Sequence, residues 1–564
     1  MKRPLCIGLL LAAAALAYSN TLPNSFTLDD KLYIGLNPQV TDASVRGFFA
    51  LNRIASVFRP VTFATLALNW KLGGEHTFGY HLFNLLLHAG VSFMLFLLLE
   101  ALLRKASPAA LSPRDELVAF VAALIFAVHP IHTEAVSSIV GRSELLAAGF
   151  IFGAWFLHLK DRPLAALTCF ALALLSKESA VIFLGLILLG DYARGEWKPR
   201  LRYVSIVGVT LLYLGVLWKV QGGHLGRASI SMLDNPLASL PARWRVLNAL
   251  RVGWKYVALH FYPAKLSCDY SFNAIPLYRD LRHTLPALFA AVILGGAWIA
   301  TIWKRRSALI LAGGIFLIGF AATANILVPT GTIMGERLAY LPSAGFCLLI
   351  GLGWSWLQER QRLVALATLT AIVAVLAVRT VARNQDWRDN LSLFRASVHA
   401  VPGSAKMHSG LGAEYLMQGR IDLAGPELQA ALQIDANYPD AIESYGLLQS
   451  TIGNYQGAAA LMERALNMSN RENPNYDFMA VNFAGVLMQI GYMDQARDLL
   501  NREVTESPRY ARAWANRAVL HYRQGDAAPA RSDAETALRL DPNNAQASNL
   551  MKRLNNSAGT ISQK

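Results

Sequence analysis

Charged residues are scarce in this sequence, at 16% of 564 residues, whereas soluble proteins carry roughly 25%. The scarcity is confined to the part before residue 382, where long apolar runs recur. From about residue 402 onward the composition is that of an ordinary soluble helical protein. A single soluble domain is therefore excluded, and the chain divides into two domains that prefer different solvents.

Cysteine pairs and nucleotide-binding loops are also missing. The four cysteines lie far apart and none forms a CxxC pair, which excludes a disulfide framework and a zinc knuckle. The sequence contains no phosphate-binding glycine loop, GxSxG elbow or dinucleotide fingerprint. Any reaction that needs chemical energy must therefore obtain it from an activated substrate.

The net charge of +15 is unevenly distributed. Residues 402–564 hold 15 Lys and Arg against 17 Asp and Glu, a balance of −2, which leaves +17 for the preceding part. The basic residues there flank apolar runs, where positive charge sets the orientation of a membrane protein. The high pI therefore indicates membrane topology, and no nucleic-acid partner is expected.

Apolar runs bounded by charge predict eleven membrane-spanning helices, and hence an all-α, polytopic helical bundle. The first run, 5–18, is interpreted as an uncleaved span, with a signal peptide as the alternative. Several runs are shorter than the ~20 residues that an untilted span needs, so tilt or local thinning is expected. The remaining runs are 78–103, 116–128, 144–159, 163–175, 179–191, 203–220, 283–303, 307–328, 338–357 and 362–380.

The basic loops predict the orientation of these spans. They favour a cytoplasmic N-terminus and a C-terminal domain on the opposite side of the membrane. This assignment requires Trp244–Tyr262, which contains several basic residues, to lie on the outer surface as an amphipathic helix instead of crossing. The remaining polar loops then share one non-cytoplasmic side with the C-terminal domain. These loops are 20–77, 129–142, 176–178, 221–282 and 329–337.

The C-terminal part repeats itself. Its prolines recur at spacings of 35, 34 and 34 residues, at Pro439, Pro474, Pro508 and Pro542. Each unit also carries a glycine turn and small residues, as in WANRAVLHYRQGDAAPARSDAETALRLDP at 514–542, which fits the 34-residue tetratricopeptide repeat. Four repeats are predicted, followed by a terminal solvating helix at 543–554. Such arrays stack into a curved surface whose concave face suits peptides.

These patterns predict the domain boundaries of the chain. Residues 1–381 form the membrane domain, and 382–401 form a connecting helix. The repeats with their terminal helix occupy 402–554, and 555–564 form a disordered tail.

An acidic pair, Asp29 and Asp30, follows the first span in the stretch FTLDDKLYIGLNP. Acidic side chains are costly in lipid and cheap in water, so the pair is expected to stay hydrated. One interpretation is a solvated loop with a helix N-cap, because Asp favours that position. The other is catalytic, since a carboxylate can accept a proton from an attacking hydroxyl.

A second polar cluster follows the third span in VHPIHTEAVSSIVGRSELL, where many titratable groups fall at one membrane depth. A divalent cation could be held by His129, His132 and Glu134, because imidazole and carboxylate suit such ions. The same residues, with Arg142 and Glu144, could instead form an anion pocket. The structural alternative is a set of interfacial residues capping two spans.

Two further motifs place cations beside carboxylates on the same side. Lys177 and Glu178 form a turn between short spans, where a buried lysine needs an anion such as a phosphate. Glu336 and Arg337 lie in GTIMGERLAYLPS, and positive charge on this side runs against the orientation rule. Arg59 in FRP is a similar outer-side arginine. Carboxylates and cations on one aqueous face suit a reaction on a lipid-linked phosphate, whose departing charge the cations stabilise.

Several motifs in order closely resemble the transmembrane and tetratricopeptide-repeat (TMTC) family of protein O-mannosyltransferases, within the GT-C glycosyltransferases. The resemblance covers almost the whole chain. It is carried by FRPVTFATLALNWKLGGEHTFGYHLFNLLLHA, AVHPIHTEAVSSIVGRSELLAA, LSKESAV, GERLAYLPSAGF and RNQDWRDNLSLF, followed by the repeats.

The resemblance implies a membrane enzyme that takes a sugar from a polyprenyl- or dolichyl-phosphate donor. It would transfer the sugar, with inversion, to Ser or Thr hydroxyls of a protein on the periplasmic or lumenal side. Asp29, with Asp30 as its neighbour, matches the catalytic acid of the first outer loop, and Glu134 matches the second acidic motif. Lys177 and Arg337 match positions assigned to the lipid phosphate.

The expected partners are therefore the lipid donor, the bilayer and an acceptor protein or peptide, held by the repeats. The expected location is a bacterial inner membrane with periplasmic repeats, or the endoplasmic reticulum with lumenal repeats. A membrane-anchored adaptor that assembles envelope proteins is the main alternative. A flippase for a lipid-linked sugar would need charged residues facing both leaflets and an inverted repeat, which the sequence does not show.

Overall fold

The computed structural model describes residues 3–51, 57–104, 113–223, 230–471, 473 and 475–561. Within these ranges the chain is built from 27 α-helices and short 3₁₀ turns, so the all-α prediction is confirmed. It divides into two compact units, 1–404 and 405–564. Pro474 of the repeat pattern and residues 562–564 of the predicted tail lie outside the described residues.

The first unit contains eighteen helices. In chain order they are α1 Arg3–Tyr18, α2 Asp30–Tyr33, α3 Pro38–Thr41, α4 Val45–Phe48, α5 Pro60–Gly73, α6 Phe78–Leu103, α7 Pro113–Val128, α8 Thr133–Ser137, α9 Arg142–Leu159, α10 Pro163–Ser176, α11 Phe183–Arg194, α12 Arg200–Val220, α13 Ala242–Phe261, α14 Leu281–Trp303, α15 Ser307–Ala321, α16 Ser343–Gln358, α17 Arg362–Asp386 and α18 Asn390–Ala400.

Each of the eleven predicted spans coincides with one of these helices, although few are long. Among the described residues five helices, α1 (extended to Thr21), α6, α12, α14 and α17, are long and apolar enough to cross a bilayer. A sixth span results if α7 and the stretch Pro130–Ser137, bent by 52°, count as one, and α10 and α15 are shorter apolar helices. The chain is therefore an integral membrane protein.

Two helix ends and one whole helix differ from the sequence prediction. The helix expected at 307–328 ends at Ala321, and the one expected at 338–357 begins only at Ser343. Polar residues between them fold into a hydrogen-bonded loop around Asn325, so the chain leaves the helix early. The predicted loop 20–77 also contains α5, whose apolar run is interrupted by Asn69 and Lys71.

Basic residues gather at one end of the bundle. Arg3 at the start of α1 pairs with Glu100 near the end of α6 at 2.8 Å. Arg194 at the end of α11 donates to the carbonyl oxygen of Arg104, just after α6, at 2.6 Å. The polar motifs of the sequence lie at the opposite ends of these helices, after α1 and α10 and before α9 and α16.

The helix α13 begins and ends on the side of the bundle that carries the polar motifs. The preceding helix α12 starts at the basic end, where Tyr203 donates to Asp191 of α11 at 2.7 Å. The following helix α14 finishes beside the start of α15, since Trp298 donates to the carbonyl oxygen of Ile310 at 3.1 Å. Both connections to α13 therefore lie at the opposite end, which fits the predicted amphipathic helix that does not cross.

The first span belongs to the apolar core of the bundle. Cys6, Leu10, Ala14 and Tyr18 of α1 are buried against α6, α7 and α17. Small residues let the central helices approach closely. A Cβ added at Gly351 of α16 would lie 2.9 Å from a carbonyl oxygen of α7. This tight packing fixes the helix ends from which the polar loops project.

The second unit is a stack of four helix pairs followed by one long helix, as the repeat spacing predicts. The tight turns inside the pairs use left-handed glycines, at Gly419, Gly453, Gly491 and Gly525. The last helix runs through Ile561, beyond residue 554, where the sequence analysis placed a disordered tail. The helices are α19 Ala405–Met417, α20 Ile421–Ile434, α21 Pro439–Thr451, α22 Tyr455–Met468, α23 Tyr476–Gln489, α24 Met493–Glu506, α25 Ala511–Gln524, α26 Ala527–Leu540 and α27 Ala545–Ile561.

The first helices of successive pairs contact each other and form one layer of this second unit. Polar side chains link the layer. Asn482 donates to Glu443 of the preceding pair at 2.7 Å and accepts from Arg512 of the following pair at 3.3 Å. Asn516 donates to the carbonyl oxygen of Val481 at 3.0 Å. A continuous polar row therefore runs along these inner helices.

Candidate active site

The two acidic residues after the first span have opposite environments. Asp30 is fully buried and accepts hydrogen bonds from the main-chain N–H groups of Thr27 (3.0 Å) and Val140 (3.1 Å). Burial raises the pKa of Asp30 to about 7, because desolvation penalises the charged form. Asp30 thus ties the first loop to the turn before α9. Asp30 is therefore a buried structural residue.

Asp29, in contrast, projects into solvent. Its carboxylate forms no hydrogen bond or ion pair with any described residue, and its side chain does not cap α2. Its charge nevertheless reaches Arg337, where it adds to the attraction that raises the pKa of this guanidinium above its ordinary value. Asp29 is therefore an accessible base within electrostatic range of the cationic motif.

Glu134 and Arg337 form the centre of the cluster. Glu134 is 1% exposed, and its Oε2 accepts the main-chain N–H of Arg337 at 2.9 Å while its Oε1 pairs with the guanidinium. The Arg337 side chain is still 39% exposed. Its Nε and Nη2 have no hydrogen-bond partner among the described residues, so donors remain for an anion.

Two further ion pairs surround this centre. Lys177 pairs with Glu144 at the start of α9, and both side chains are nearly buried. Burial lowers the pKa of Lys177, and the attraction of Glu144 opposes that effect. Arg59 donates to both oxygens of Glu178, at 3.0 and 2.7 Å, through its Nε and Nη2. Cations from three separate loops are therefore each matched by a carboxylate.

A small recess, with room for about one water molecule, lies beside the Lys177–Glu144 pair. Glu144 and Thr323 contribute polar atoms to its wall, and Leu338 lines it directly after Arg337 in sequence. The rest of its wall is mainly apolar, from Ala147, Ala148, Ile151, Ile182, Leu341 and Pro342. The recess is too small for a lipid chain, but it shows that apolar surface adjoins the cations.

The two histidines proposed as metal ligands are occupied by protein partners. His129 accepts from the N–H of Ile131 at 3.2 Å, and its other nitrogen lies 3.0 Å from the carbonyl oxygen of His260. His132 lies 2.9 Å from the carbonyl oxygen of Phe126 and 2.7 Å from Ser343 Oγ. Neither ring has a free lone pair to offer. No group of metal-ligating side chains suited to an ion occurs in the described ranges, which corrects the metal interpretation of His129, His132 and Glu134.

Arg142, expected in the anion pocket, lies in the protein interior instead. It is fully buried and donates to Asn84 Oδ1 at 2.9 Å and to the carbonyl oxygen of Tyr80 at 3.2 Å. Its guanidinium also stacks 4.4 Å from the ring centroid of Phe83. Arg142 therefore joins α9 to α6 and offers no surface to a substrate.

Glu336 points away from its neighbour Arg337 and is fully buried. Its Oε1 accepts from the N–H of Ser267 and from the hydroxyl of Tyr270, both at 2.6 Å. Burial raises its pKa to about 7, although Arg383, 3.8 Å away, opposes the shift. Glu336 anchors the turn that presents Arg337 and is not part of the exposed pocket.

The structure therefore separates the predicted residues into two groups. Asp29, Glu134, Lys177 and Arg337 gather on one polar face, joined by Arg59 and Glu178 at its edge. Asp30, His129, His132, Arg142 and Glu336 are buried supports. Sequence reasoning missed that Glu144 neutralises Lys177, although its position two residues after Arg142 was noted. Arg383, in RTVARNQDW, is predicted from the sequence as an outer-side arginine similar to Arg59, but it is fully buried against Glu336.

The fold and this polar face define a class of protein, a polytopic helical membrane protein with C-terminal tetratricopeptide repeats. Models of the tetratricopeptide repeat match residues 376–442 and 511–544. Among solved structures, that of the repeat protein YrrB matches 35% of this chain and 97% of its own chain, at 16% identity and a TM-score of 0.24.

Three known proteins are similar to this chain over most of its length. Tmtc3 of Drosophila melanogaster is 27% identical over 82% of this chain and 58% of its own length. F38B6.6 of Caenorhabditis elegans is 29% identical over 76% and 63%, and TMTC3 of Mus musculus is 26% identical over 96% and 64%. All three are named protein O-mannosyl-transferases. The chain is a homologue of the TMTC-family proteins, which confirms the resemblance, and it spans about three fifths of their length.

Proposed function

We propose that this protein is a membrane glycosyltransferase that moves a sugar, mannose or another hexose, from a polyprenyl-phosphate donor to Ser or Thr hydroxyls of proteins. The observation that carries the proposal is the exposed, unpaired carboxylate of Asp29, whose charge acts on the partly exposed guanidinium of Arg337. A base and a phosphate-binding cation are the two groups that such a transfer needs. The names of the relatives support the same reaction class.

In this reaction the acceptor oxygen attacks the anomeric carbon from the face opposite the phosphate, so the configuration inverts. The new carbon–oxygen bond forms as the bond from that carbon to the phosphate oxygen breaks. Asp29 accepts the hydroxyl proton, and the electron pair leaves on the phosphate. Arg337 and Lys177 stabilise the negative charge that develops on the phosphate. Stabilisation of this kind by fixed charges is usually the largest single contribution to the rate of such steps.

The apolar recess supplies a contact for the start of the lipid part of the donor. Its wall lies beside Glu144, the partner of Lys177, so a phosphate near the cations would place its first isoprene unit against this wall and the rest of the chain in the bilayer. Apolar contact of this kind contributes roughly 25 cal/mol per Å² of buried surface. Donor binding then combines a charged head with an apolar tail, as an amphiphilic substrate requires.

We place the reaction on the non-cytoplasmic side. The polar face lies at the end of the bundle opposite the basic residues Arg3 and Arg194, and basic ends face the cytoplasm. This location is the periplasm if the host is a bacterium, or the lumen of the endoplasmic reticulum otherwise. We further propose that the repeats engage the acceptor protein or a partner through Asn482 and Arg512, the accessible residues of the polar row, while the buried Glu443 holds Asn482 in place.

The test is a transfer assay with purified full-length protein in liposomes. Label is supplied either as a mannosyl-phosphoryl polyprenol or as a nucleotide sugar, with a Ser/Thr-rich acceptor protein. We expect transfer to hydroxyls from the lipid donor only. We also expect activity to persist in EDTA, because Arg337 and Lys177 supply the positive charge. Transfer from the nucleotide sugar, or none from any lipid donor tried, would contradict it. Capture of a partner without any transfer would favour the membrane-anchored adaptor.

A further inference from the structure

The backbone immediately before Asp29 is strained. Leu28 has φ of +48°, in the left-handed region that residues other than glycine rarely occupy. A leucine is disfavoured there, because its Cβ lies too close to the following carbonyl oxygen. Such a conformation persists only where surrounding contacts enforce it, and strain of this kind collects at functional sites. A specific contact must therefore hold Leu28 in this conformation.

That contact comes from Asn390, which lies near the C-terminal end of the first unit in sequence. The Leu28 N–H donates to Asn390 Oδ1 at 2.8 Å, across 362 positions of sequence. Asn390 is the first residue of α18, the helix that precedes the repeats. It lies in RNQDWRDNLSLF, the one motif of the sequence analysis to which the proposed reaction assigns no role.

Neighbouring hydrogen bonds join the same two segments. The Ser25 N–H donates to the carbonyl oxygen of Arg388 at 2.9 Å. Asn24 Nδ2 donates to the carbonyl oxygen of Asn384 at 3.2 Å. These contacts hold the loop against the end of α17, and the Asn390 bond is the one that acts on the strained residue itself.

We propose that Asn390 is a positioning residue for the base Asp29. By accepting the N–H of Leu28, it holds the left-handed turn that aims the Asp29 carboxylate away from the protein and toward the acceptor hydroxyl. Without this acceptor, Leu28 relaxes to an ordinary conformation and the carboxylate moves with it. The inference rests on the proposed function, because it presupposes that Asp29 is the base.

The first test compares three full-length variants in the lipid-donor transfer assay. Asn390→Leu removes the acceptor at similar size, Asn390→Asp keeps an acceptor oxygen, and Arg395→Ala alters an exposed side chain of the same helix. We expect Asn390→Leu to lower kcat between about tenfold and a hundredfold, with donor KM unchanged, because displacement of a reacting group has such effects. Asn390→Asp should retain most of kcat, and Arg395→Ala all of it.

A double variant isolates the effect of the strained turn on kcat. Glycine adopts left-handed backbone without steric cost, so Leu28→Gly added to Asn390→Leu should restore part of the kcat that Asn390→Leu alone loses. Hydrogen exchange gives a measurement that needs no activity. The Leu28 amide should exchange faster in Asn390→Leu than in the wild type or Arg395→Ala, which reports the broken bond directly.

Three outcomes would overturn the inference. The first is a wild-type kcat in Asn390→Leu, and the second is unchanged exchange at Leu28 in that variant. The third is equal loss in Asn390→Asp and Asn390→Leu, since only one of them lacks the acceptor. Failure of the proposed function is a separate result, because it appears as undiminished activity in Asp29→Asn whatever the Asn390 variants do.

Discussion

Glu134 holds both the main chain and the side chain of Arg337. One carboxylate oxygen accepts the Arg337 N–H at 2.9 Å, and the other pairs with the guanidinium. A single buried acid therefore sets the place and the direction of the most exposed cation in the polar cluster. The guanidinium keeps two nitrogens without partners among the described residues, and these define where an anionic head would bind.

This arrangement predicts that Arg337 cannot be replaced by lysine. Arg337→Lys keeps the charge but lacks the planar fork that serves Glu134 and a phosphate together. Transfer should fall about a hundredfold or more, the range seen when one transition-state donor is removed. Steady-state kinetics with the lipid donor measures the loss, with Arg395→Ala as the control. Full activity of Arg337→Lys would show that the fork is not used.

The Glu144–Lys177 pair predicts a separation of stability from activity. Loss of one partner, as in Lys177→Met, leaves a buried carboxylate unpaired and should cost about 3–5 kcal/mol of stability. The double variant Glu144→Leu/Lys177→Met removes both charges and should regain most of the melting temperature. It should still fail in transfer, because Lys177 no longer stabilises the leaving phosphate. An active double variant would assign the pair a structural role alone.

The apolar recess predicts that donor binding depends on its wall, which includes Thr323. Thr323→Phe should fill the recess and raise KM at least several-fold, both for a long-chain polyprenyl donor and for a donor with one or two isoprene units, because only the first unit contacts the wall. The KM values of both donors, in wild type and variant, are the measurement. Unchanged KM values for both donors would mean that the lipid lies elsewhere.

Buried Asp30 predicts a specific pH dependence of stability. Its pKa is raised to about 7 by burial, from 3.8 in the unfolded chain. Between those values the folded carboxyl holds a proton that the unfolded one has lost, so its contribution to stability declines as pH rises. Asp30→Asn lacks this titration. The melting temperature of wild type relative to Asp30→Asn should therefore fall from about pH 5 to about pH 8.

A difference between wild type and Asp30→Asn that does not change with pH would show that Asp30 is ionised in the folded protein at acid pH. The main-chain donors of Thr27 and Val140 would then outweigh burial. Both proteins are compared in the same detergent, so that the effects of other titrating groups cancel.

The helices and the sidedness of the bundle could be predicted from sequence, because both follow from local composition. Apolar runs ended by charge located the helices, and basic loops placed Asp29, Glu134, Lys177 and Arg337 on one side. Repeat spacing located the helix pairs of the second unit. The helix α5 was not recognised because Asn69 and Lys71 interrupt its apolar run after Leu68.

The division of labour within the polar motifs could not be predicted, because it depends on packing. Asp29 and Asp30 are equivalent in sequence, yet main-chain donors from a different loop capture only Asp30. His129 and His132 are side-chain types that bind metals, but the carbonyl oxygens of His260 near the end of α13 and of Phe126 near the end of α7 each take one of their nitrogens. Such main-chain partners leave no mark in residue identity.

The central claim is that Asp29, and not its neighbour Asp30, removes the proton from the acceptor hydroxyl. The most direct measurement is single-turnover transfer from a labelled polyprenyl-phosphate sugar by purified Asp29→Asn and Asp30→Asn, each at its folded concentration. The account predicts loss of at least a hundredfold in Asp29→Asn, whereas folded Asp30→Asn keeps a rate within about tenfold of wild type. Wild-type turnover by Asp29→Asn would contradict it.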